Sequence, residues 1–145
     1  MNRVRYFAYG SNLDREQMAK RCPSSRALHR ARLKDHRLDF TYFSSRWVGG
    51  AADVVLHFGE AVWGIIYEMD AEDLSRLDRF EGGYQRVLFS VEDDQGNAHP
   101  VVSYSVPVKR SFQPTRHYLQ KILRWGEEWH LPGEYLAKLR SILAS

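Results

Sequence analysis

The nine residues Ala61-Val62-Trp63-Gly64-Ile65-Ile66-Tyr67-Glu68-Met69 constrain the fold more than any other stretch of the chain, because their apolar side chains fall on both alternating faces. A strand that is apolar on both faces belongs in the interior of a sheet and not at its edge. Gly64 within it marks either a bulge or a close approach by another stretch of backbone.

The rest of the chain supplies neighbours for that strand. Val4 to Ala8 reads as a short strand that stops at Gly10, the residue able to take a positive φ at least cost, and Ser11 or Asn12 offers an N-cap for a helix over Asp14 to Arg21. Cys22-Pro23 ends that helix. Arg26 to Leu33, Arg37 to Phe43 and Ala51 to Leu56 alternate as strands, with a loop over Ser44 to Gly50 and a turn at His57-Phe58-Gly59-Glu60. Asp70, with Asp73 three residues on in the position of a capping-box acid, predicts a helix over Ala71 to Phe80 that turns Leu74 and Leu77 inward and stops at Gly82-Gly83. Tyr84 to Glu92 and His99 to Val106 read as a hairpin closed by Asp93 to Asn97. Two helices follow: Thr115 to Trp129, burying Tyr118, Ile122, Trp125 and Trp129, and a second from Pro132 with Tyr135, Leu136 and Leu139 on its apolar side. The pattern is α+β, with an antiparallel or mixed sheet curled around a core.

A chain of 145 residues with 43% hydrophobic content is long enough for one well-buried core and short for two, so a single domain over 1–145 is expected. Its 21 Lys and Arg are scattered among 18 Asp and Glu instead of forming a stripe, which argues against nucleic-acid binding. Cys22 is the only cysteine, so no internal disulfide is possible, and a reducing cytoplasm fits best. No apolar stretch approaches the ~20 residues that span a bilayer, and neither a leader nor a membrane anchor is expected.

Two places invite chemistry. The strand, turn and helix start around Tyr9-Gly10-Ser11-Asn12 points successive backbone N–H groups into one concavity, predisposed to hold a carboxylate or an oxyanion; an ordinary strand-to-helix connection has the same residues. Glu81, seven positions after Leu74, returns to the buried face of its helix near the C-terminus, where both burial and the helix dipole raise a carboxyl pKa and suit it to act as a general base. It can instead turn outward and pair with Arg79 or Arg86, and Asp78 is the second candidate for the acid. The six histidines, His29, His36, His57, His99, His117 and His130, show no paired metal-ligand spacing such as H-E-x-x-H. No lysine of the Walker type follows Gly10, no three-glycine dinucleotide pattern is present and no G-x-S-x-G elbow exists, so nucleotide, metal and covalent mechanisms have little support, a triad assembled in space being the one covalent route that spacing leaves open. Tyr84, Tyr104 and Tyr118 read as core residues with hydroxyls reaching water, one or two of which line a pocket.

Taken in order, Tyr9-Gly10-Ser11-Asn12-Leu13, Trp47-Val48-Gly49-Gly50-Ala51, Val62-Trp63-Gly64-Ile65-Ile66-Tyr67, Leu77-Asp78-Arg79-Phe80-Glu81-Gly82 and the ending with Leu131-Pro132-Gly133-Glu134-Tyr135 resemble the gamma-glutamylcyclotransferase family. The resemblance covers nearly the whole chain. It implies a mixed, mainly antiparallel small β-barrel flanked by helices, and a cofactor-free, metal-free enzyme that converts a gamma-glutamyl amino acid or amine into 5-oxoproline and the freed amine. It places the essential acid on Glu81 and the substrate cradle on Tyr6, Phe7, Ala8, Tyr9, Gly10, Ser11 and Asn12. Pocket tyrosines fall on Tyr84, Tyr104 and Tyr118. The competing reading is a catalytically silent member that binds an acidic metabolite or peptide. Trp125 and Trp129 either pack internally or form a homodimer contact.

Overall fold

The computed structural model describes residues 2–145, and within them five strands close into a barrel in the order β1-β3-β2-β4-β5. In chain order the elements are β1 (Arg3–Ala8), a 3-10 turn (Ser11–Leu13), α1 (Arg15–Arg21), β2 (Arg26–Ser44), β3 (Gly49–Asp70), α2 (Ala71–Asp78), β4 (Gln85–Glu92), β5 (Ala98–Ser105), α3 (Arg116–Glu128) and α4 (Gly133–Ala144). The expected α+β class holds, and so does the mixed sheet. All strand pairs are antiparallel except β1 with β5, which meet in parallel at Tyr6 and Val102.

The segment Ala61 to Met69 is the spine of the sheet, paired with β1 on one side and β2 on the other. Val62, Ile65, Ile66, Tyr67 and Met69 are buried, and they share the core with Phe7, Leu13, Met18, Leu74, Leu77 and Ile122. Gly64 is there for proximity: a Cβ at this position would sit 2.2 Å from the Ala8 carbonyl oxygen and 2.9 Å from the Phe7 ring. No side chain fits between these strands.

Several boundaries differ from expectation for local reasons. The strands expected at Arg26–Leu33 and Arg37–Phe43 are one 19-residue strand, and those on either side of His57–Glu60 are one 22-residue strand. The turn signal at His57–Glu60 is real but acts inside the ladder. Pairing jumps from Lys34 opposite Ala61 to His36 opposite Leu56, so Asp35 alone faces four residues. Asp35 adopts φ 59, Gly59 adopts φ 89, and the Gly59 amide donates to the Asp35 carboxylate at 3.1 Å, which absorbs the excess as a bulge without ending either strand. The expected capping box of α2 does not form: Asp70 makes no side-chain cap, and Asp73 accepts instead from the Ser24 amide at 2.8 Å, from the Ser24 hydroxyl and from Arg76. That helix ends at Asp78, two residues short of the expected Phe80, in a run of tighter i to i+3 turns through Phe80, Glu81 and Tyr84.

At the C-terminus, α3 and α4 pack on the outside of the barrel. Trp125 and Trp129 are half-buried against the core of their own chain, and the Trp129 indole donates to the Leu13 carbonyl at 2.7 Å while its ring meets Tyr67 edge-on. No helix is long and apolar enough to cross a membrane among the described residues.

Candidate active site

The barrel opens into a cleft of about 290 Å³ that gathers residues from six separate parts of the chain. The turn after β1 forms its floor. Ser11 and Asn12 do not cap a helix as expected; they sit in the 3-10 turn, and Asp14 caps α1 by accepting from the Glu16 amide at 2.9 Å and the Gln17 amide at 3.1 Å. Nor does Gly10 use a positive φ, having φ −115. Glycine serves instead because a Cβ there would press to 3.1 Å from the Ala52 Cβ and 3.4 Å from the Tyr118 hydroxyl. The Leu13 and Asp14 amides close the turn onto the Gly10 and Ser11 carbonyls, and the amides of Gly10, Ser11 and Asn12 have no acceptor among the described residues. Successive uncommitted N–H groups at a turn are a ready anion cradle.

Asn12 ties that cradle to Glu81. Its buried amide nitrogen donates to the Tyr6 hydroxyl at 2.9 Å and to Glu81 Oε1 at 3.3 Å, while its oxygen accepts from Gln17 Nε2 at 2.9 Å and from Arg21 Nη1 at 3.0 Å. With donors on one side and acceptors on the other, only one orientation of the Asn12 amide satisfies the network. Gln17 is fixed in turn by Lys121, whose ammonium donates to its Oε1 at 2.6 Å and bridges Asp14 at 3.1 Å.

Glu81 lies three residues beyond the last residue of α2, in the turn that precedes β4, so the helix-dipole argument for its basicity does not apply. Burial in the cleft supplies the effect. It raises the carboxyl from the usual glutamate range to about 7, against the opposing pull of the Arg21 charge and the Asn12 hydrogen bond. A group poised there takes and returns protons near neutrality. Asp78, the second candidate, is held below the normal aspartate range: although burial opposes it, the Arg86 guanidinium pairs with it at 2.7 Å and the Tyr104 hydroxyl donates to it. Glu81 makes neither of the surface pairings its sequence position allowed among the described residues.

The cleft walls are tyrosines. Tyr118 accepts from the Ala52 amide at 2.8 Å, Tyr84 donates to the Ala52 carbonyl at 2.5 Å, and Tyr9 donates to the Tyr104 carbonyl at 2.6 Å. Both backbone groups of Ala52 are thus used to position cleft side chains. Tyr6 and Tyr118 are hydrogen-bond acceptors in these contacts and each keeps a hydroxyl proton to donate inward.

Of the residues expected in the site, Tyr6, Tyr9, Gly10, Ser11, Asn12, Glu81, Tyr84, Tyr104 and Tyr118 line this cleft. Phe7 and Ala8 do not. Alternation along β1 turns Phe7 away from Tyr6, and both residues are fully buried in the core, so their part in the cradle is to hold the strand in place. Sequence reasoning did not single out Arg21, Tyr42, Arg46, Trp47 and Phe80, which also line the cleft. Gly83 carries the trace of one of them, since a Cβ there would lie 2.4 Å from the Tyr42 ring; the arginines left no signal in the spacing of charges.

The chain matches the AIG2-like family over residues 61–139. It is 37% identical to the gamma-glutamylcyclotransferase of Mus musculus and 35% identical to that of Homo sapiens, in each case over 94% of this chain and 77% of the relative. A solved structure of a gamma-glutamyl cyclotransferase superposes with a TM-score of 0.92 at 33% identity, covering 97% of this chain and 88% of that one. Identity at this level across almost the whole chain, together with the shared barrel, establishes that the chain belongs to the AIG2-like family as an enzyme of the gamma-glutamylcyclotransferase type.

Proposed function

We propose that the chain cyclises a gamma-glutamyl compound to 5-oxoproline and releases the amine or amino acid it carried, with Glu81 as the acid and base. The observation that carries this reading is a carboxyl group poised near pH 7 and hydrogen-bonded, through Asn12, to a turn that offers three uncommitted amides. The names of the relatives support the reaction class.

In this mechanism the substrate brings its own nucleophile. Its α-ammonium gives a proton to the Glu81 carboxylate, and the freed nitrogen attacks the γ-carbonyl carbon to close a five-membered ring. The carbon–nitrogen bond to the departing amine then breaks as Glu81 returns that proton to the departing nitrogen. The second proton of the former ammonium, still on the ring nitrogen after attack, passes to the departing amine as well, so the two protons the α-nitrogen loses are the two the freed ammonium gains, no water is consumed and the enzyme ends as it began. Holding a substrate folded on itself is worth much of the rate, since well-oriented intramolecular reactions reach effective molarities of ~10⁵–10⁸ M. The amides of Gly10, Ser11 and Asn12 hold the α-carboxylate or the developing oxyanion, and the spare protons of Tyr6 and Tyr118 add donors at the same end.

The cleft also favours one kind of leaving group. It carries two guanidiniums, Arg21 and Arg46, against the single carboxylate of Glu81, and burial first and then the Arg46 charge disfavour the charge of Arg21. An amino acid, with its own carboxylate, relieves that excess, whereas a cationic polyamine adds to it.

The test is to incubate the protein with gamma-glutamyl-alanine and to measure 5-oxoproline. Turnover is expected, and Glu81→Gln should abolish it with the fold intact by circular dichroism. Full activity in that variant would sink the role of Glu81. Tight binding of the substrate with no turnover by the unmodified protein would establish the silent binding module instead.

A further inference from the structure

Away from the cleft, the barrel is closed along a thin seam. Strands β2 and β4 meet at a single register pair, Arg32 opposite Glu92. Just beyond that pair, three potential metal ligands from three different segments converge: His29 on β2, Asp93 at the start of the β4–β5 turn and His99 on β5, with one donor atom from each lying within 4.8 Å of the others. None of the three lines the cleft.

We propose that His29, Asp93 and His99 form a binding site for a borderline divalent cation of the zinc class, and that the bound cation staples β2 to the β4–β5 hairpin. Two imidazole nitrogens and one carboxylate oxygen suit zinc, copper or nickel over the harder magnesium and calcium ions. Ligands about 2.0–2.2 Å from a tetrahedral ion lie about 3.3 Å from each other, so closing the site requires only side-chain adjustment from the present spacing.

The surroundings are arranged as such a site needs. The His29 ring places Nδ1 3.1 Å from the Arg30 carbonyl oxygen, a contact that puts the proton on Nδ1 and leaves Nε2 as the free donor. A backbone carbonyl in this position is the usual orienting partner of a metal-binding histidine. Asp93 spends one oxygen, Oδ1, on the Gln95 and Asn97 amides, each at 2.9 Å, and keeps Oδ2 toward His99. In the present arrangement His99 Nε2 is 2.8 Å from Asp93 Oδ2, and Arg5 Nη1 is 3.3 Å from His99 Nδ1. Coordination through Nε2 requires the single proton of the neutral ring to sit on Nδ1, so Arg5 must release that nitrogen. Glu68 is within reach as an alternative partner, with Oε2 3.9 Å from Arg5 Nε. The neighbouring Arg30 is already neutralised by Asp94 at 3.1 Å.

Titrating the purified protein with Co²⁺ and following the visible ligand-field bands should reveal one equivalent bound, and Zn²⁺ should compete for it. Because the ion binds the folded barrel and has no assembled site in the unfolded chain, Zn²⁺ at a hundredfold excess over Kd should raise Tm by about 5–10 °C. His29→Gln and His99→Gln should each weaken binding by about tenfold or more and, at the same free metal, cut the Tm rise to about half or less, while His57→Gln, on the bulge of β3, should leave both unchanged. His29 is exposed, so the first variant does not threaten the fold. Retention of the stoichiometric site in both His29→Gln and His99→Gln, its loss in His57→Gln, or no binding by the unmodified protein at about 100 µM free metal would overturn the proposal.

Discussion

Asn12 Nδ2 stands 3.3 Å from Glu81 Oε1, joining two residues separated by 69 positions into one unit. The same nitrogen holds the Tyr6 hydroxyl, and the amide oxygen is occupied by Gln17 and Arg21, so the side chain has no freedom to rotate. Asn12 therefore holds the Glu81 carboxylate in place and, against the larger effect of burial, eases its ionisation.

Removing that side chain tests the coupling. Asn12→Ala withdraws a hydrogen bond that favours the ionised carboxylate, so the apparent pKa of Glu81 should rise above its present value of about 7. The limb of the pH–kcat/KM profile that reports ionisation of the free enzyme should move to higher pH by about half a unit to one unit, and kcat at pH 7 should fall by about tenfold to a hundredfold. A lower kcat with an unmoved profile would mean that Asn12 only shapes the cleft.

Glu81 itself is expected to cost the fold stability at neutral pH. Its carboxyl pKa is raised on folding from 4.5 to about 7, chiefly by burial, so between those values the folded protein holds a proton that the unfolded chain has released. The contribution is fully present below pH 4.5 and is lost as pH rises through about 7. Glu81→Gln, which cannot ionise, should match the unmodified protein in urea denaturation at about pH 4 and exceed it at about pH 8 by about 1–3 kcal/mol. An equal difference at both pH values would refute the linkage.

Much of this site was legible in the residues, though not always for the reasons the residues suggested. The apolar run around Gly64 announces a central strand because both of its faces are buried, and the need for glycine there follows from the contact with Ala8. Helical periodicity pointed to Glu81, yet the residue lies beyond the helix and is buried by the cleft. Turn chemistry at Gly10-Ser11-Asn12 was readable, whereas the identity of the true cap, Asp14, depended on the 3-10 turn over Ser11–Leu13, which moves the cap past the residues that the turn chemistry suggested. Arg21 and Arg46 left no mark because one ends α1 and the other sits in the turn between β2 and β3, where a basic residue is ordinary surface composition, and only the tertiary fold brings them to the cleft; Tyr42 shows only indirectly, through the glycine it requires at Gly83.

Arg46 offers the clearest handle on the leaving group. It is exposed at the mouth of the cleft, so its substitution should perturb specificity more than folding. Arg46→Glu should raise KM for gamma-glutamyl-alanine by about fivefold to tenfold with little change in kcat, and should improve kcat/KM for a gamma-glutamyl diamine, whose distal ammonium is repelled by the native pair of guanidiniums. Equal changes for both substrates would show that the leaving group does not sense this charge.

The last prediction concerns a carboxylate that the sequence did not flag. Asp53 is fully buried beside Ala52, yet every lone pair is answered: Thr41 donates at 2.6 Å, the Val54 amide at 2.8 Å, Ser105 at 2.8 Å, the Val106 amide at 3.3 Å and the Lys109 ammonium at 2.7 Å. Four neutral donors and one cation from β2, β3, the end of β5 and the segment that follows it converge on Asp53, so it locks the barrel rim that carries the Ala52 contacts to Tyr84 and Tyr118. Asp53→Asn turns one acceptor into a donor facing other donors and strands the ammonium, which should cost about 2–4 kcal/mol. Lys109→Met leaves the carboxylate its four neutral donors, and because the ammonium is partly exposed the loss should be smaller, about 1–2 kcal/mol. In the double variant the two losses should fall short of their sum, since a neutral amide in place of the Asp53 carboxylate no longer needs the cation. Urea denaturation of all four proteins measures the coupling, and a sum that is simply additive would show that Asp53 and Lys109 do not act as a pair.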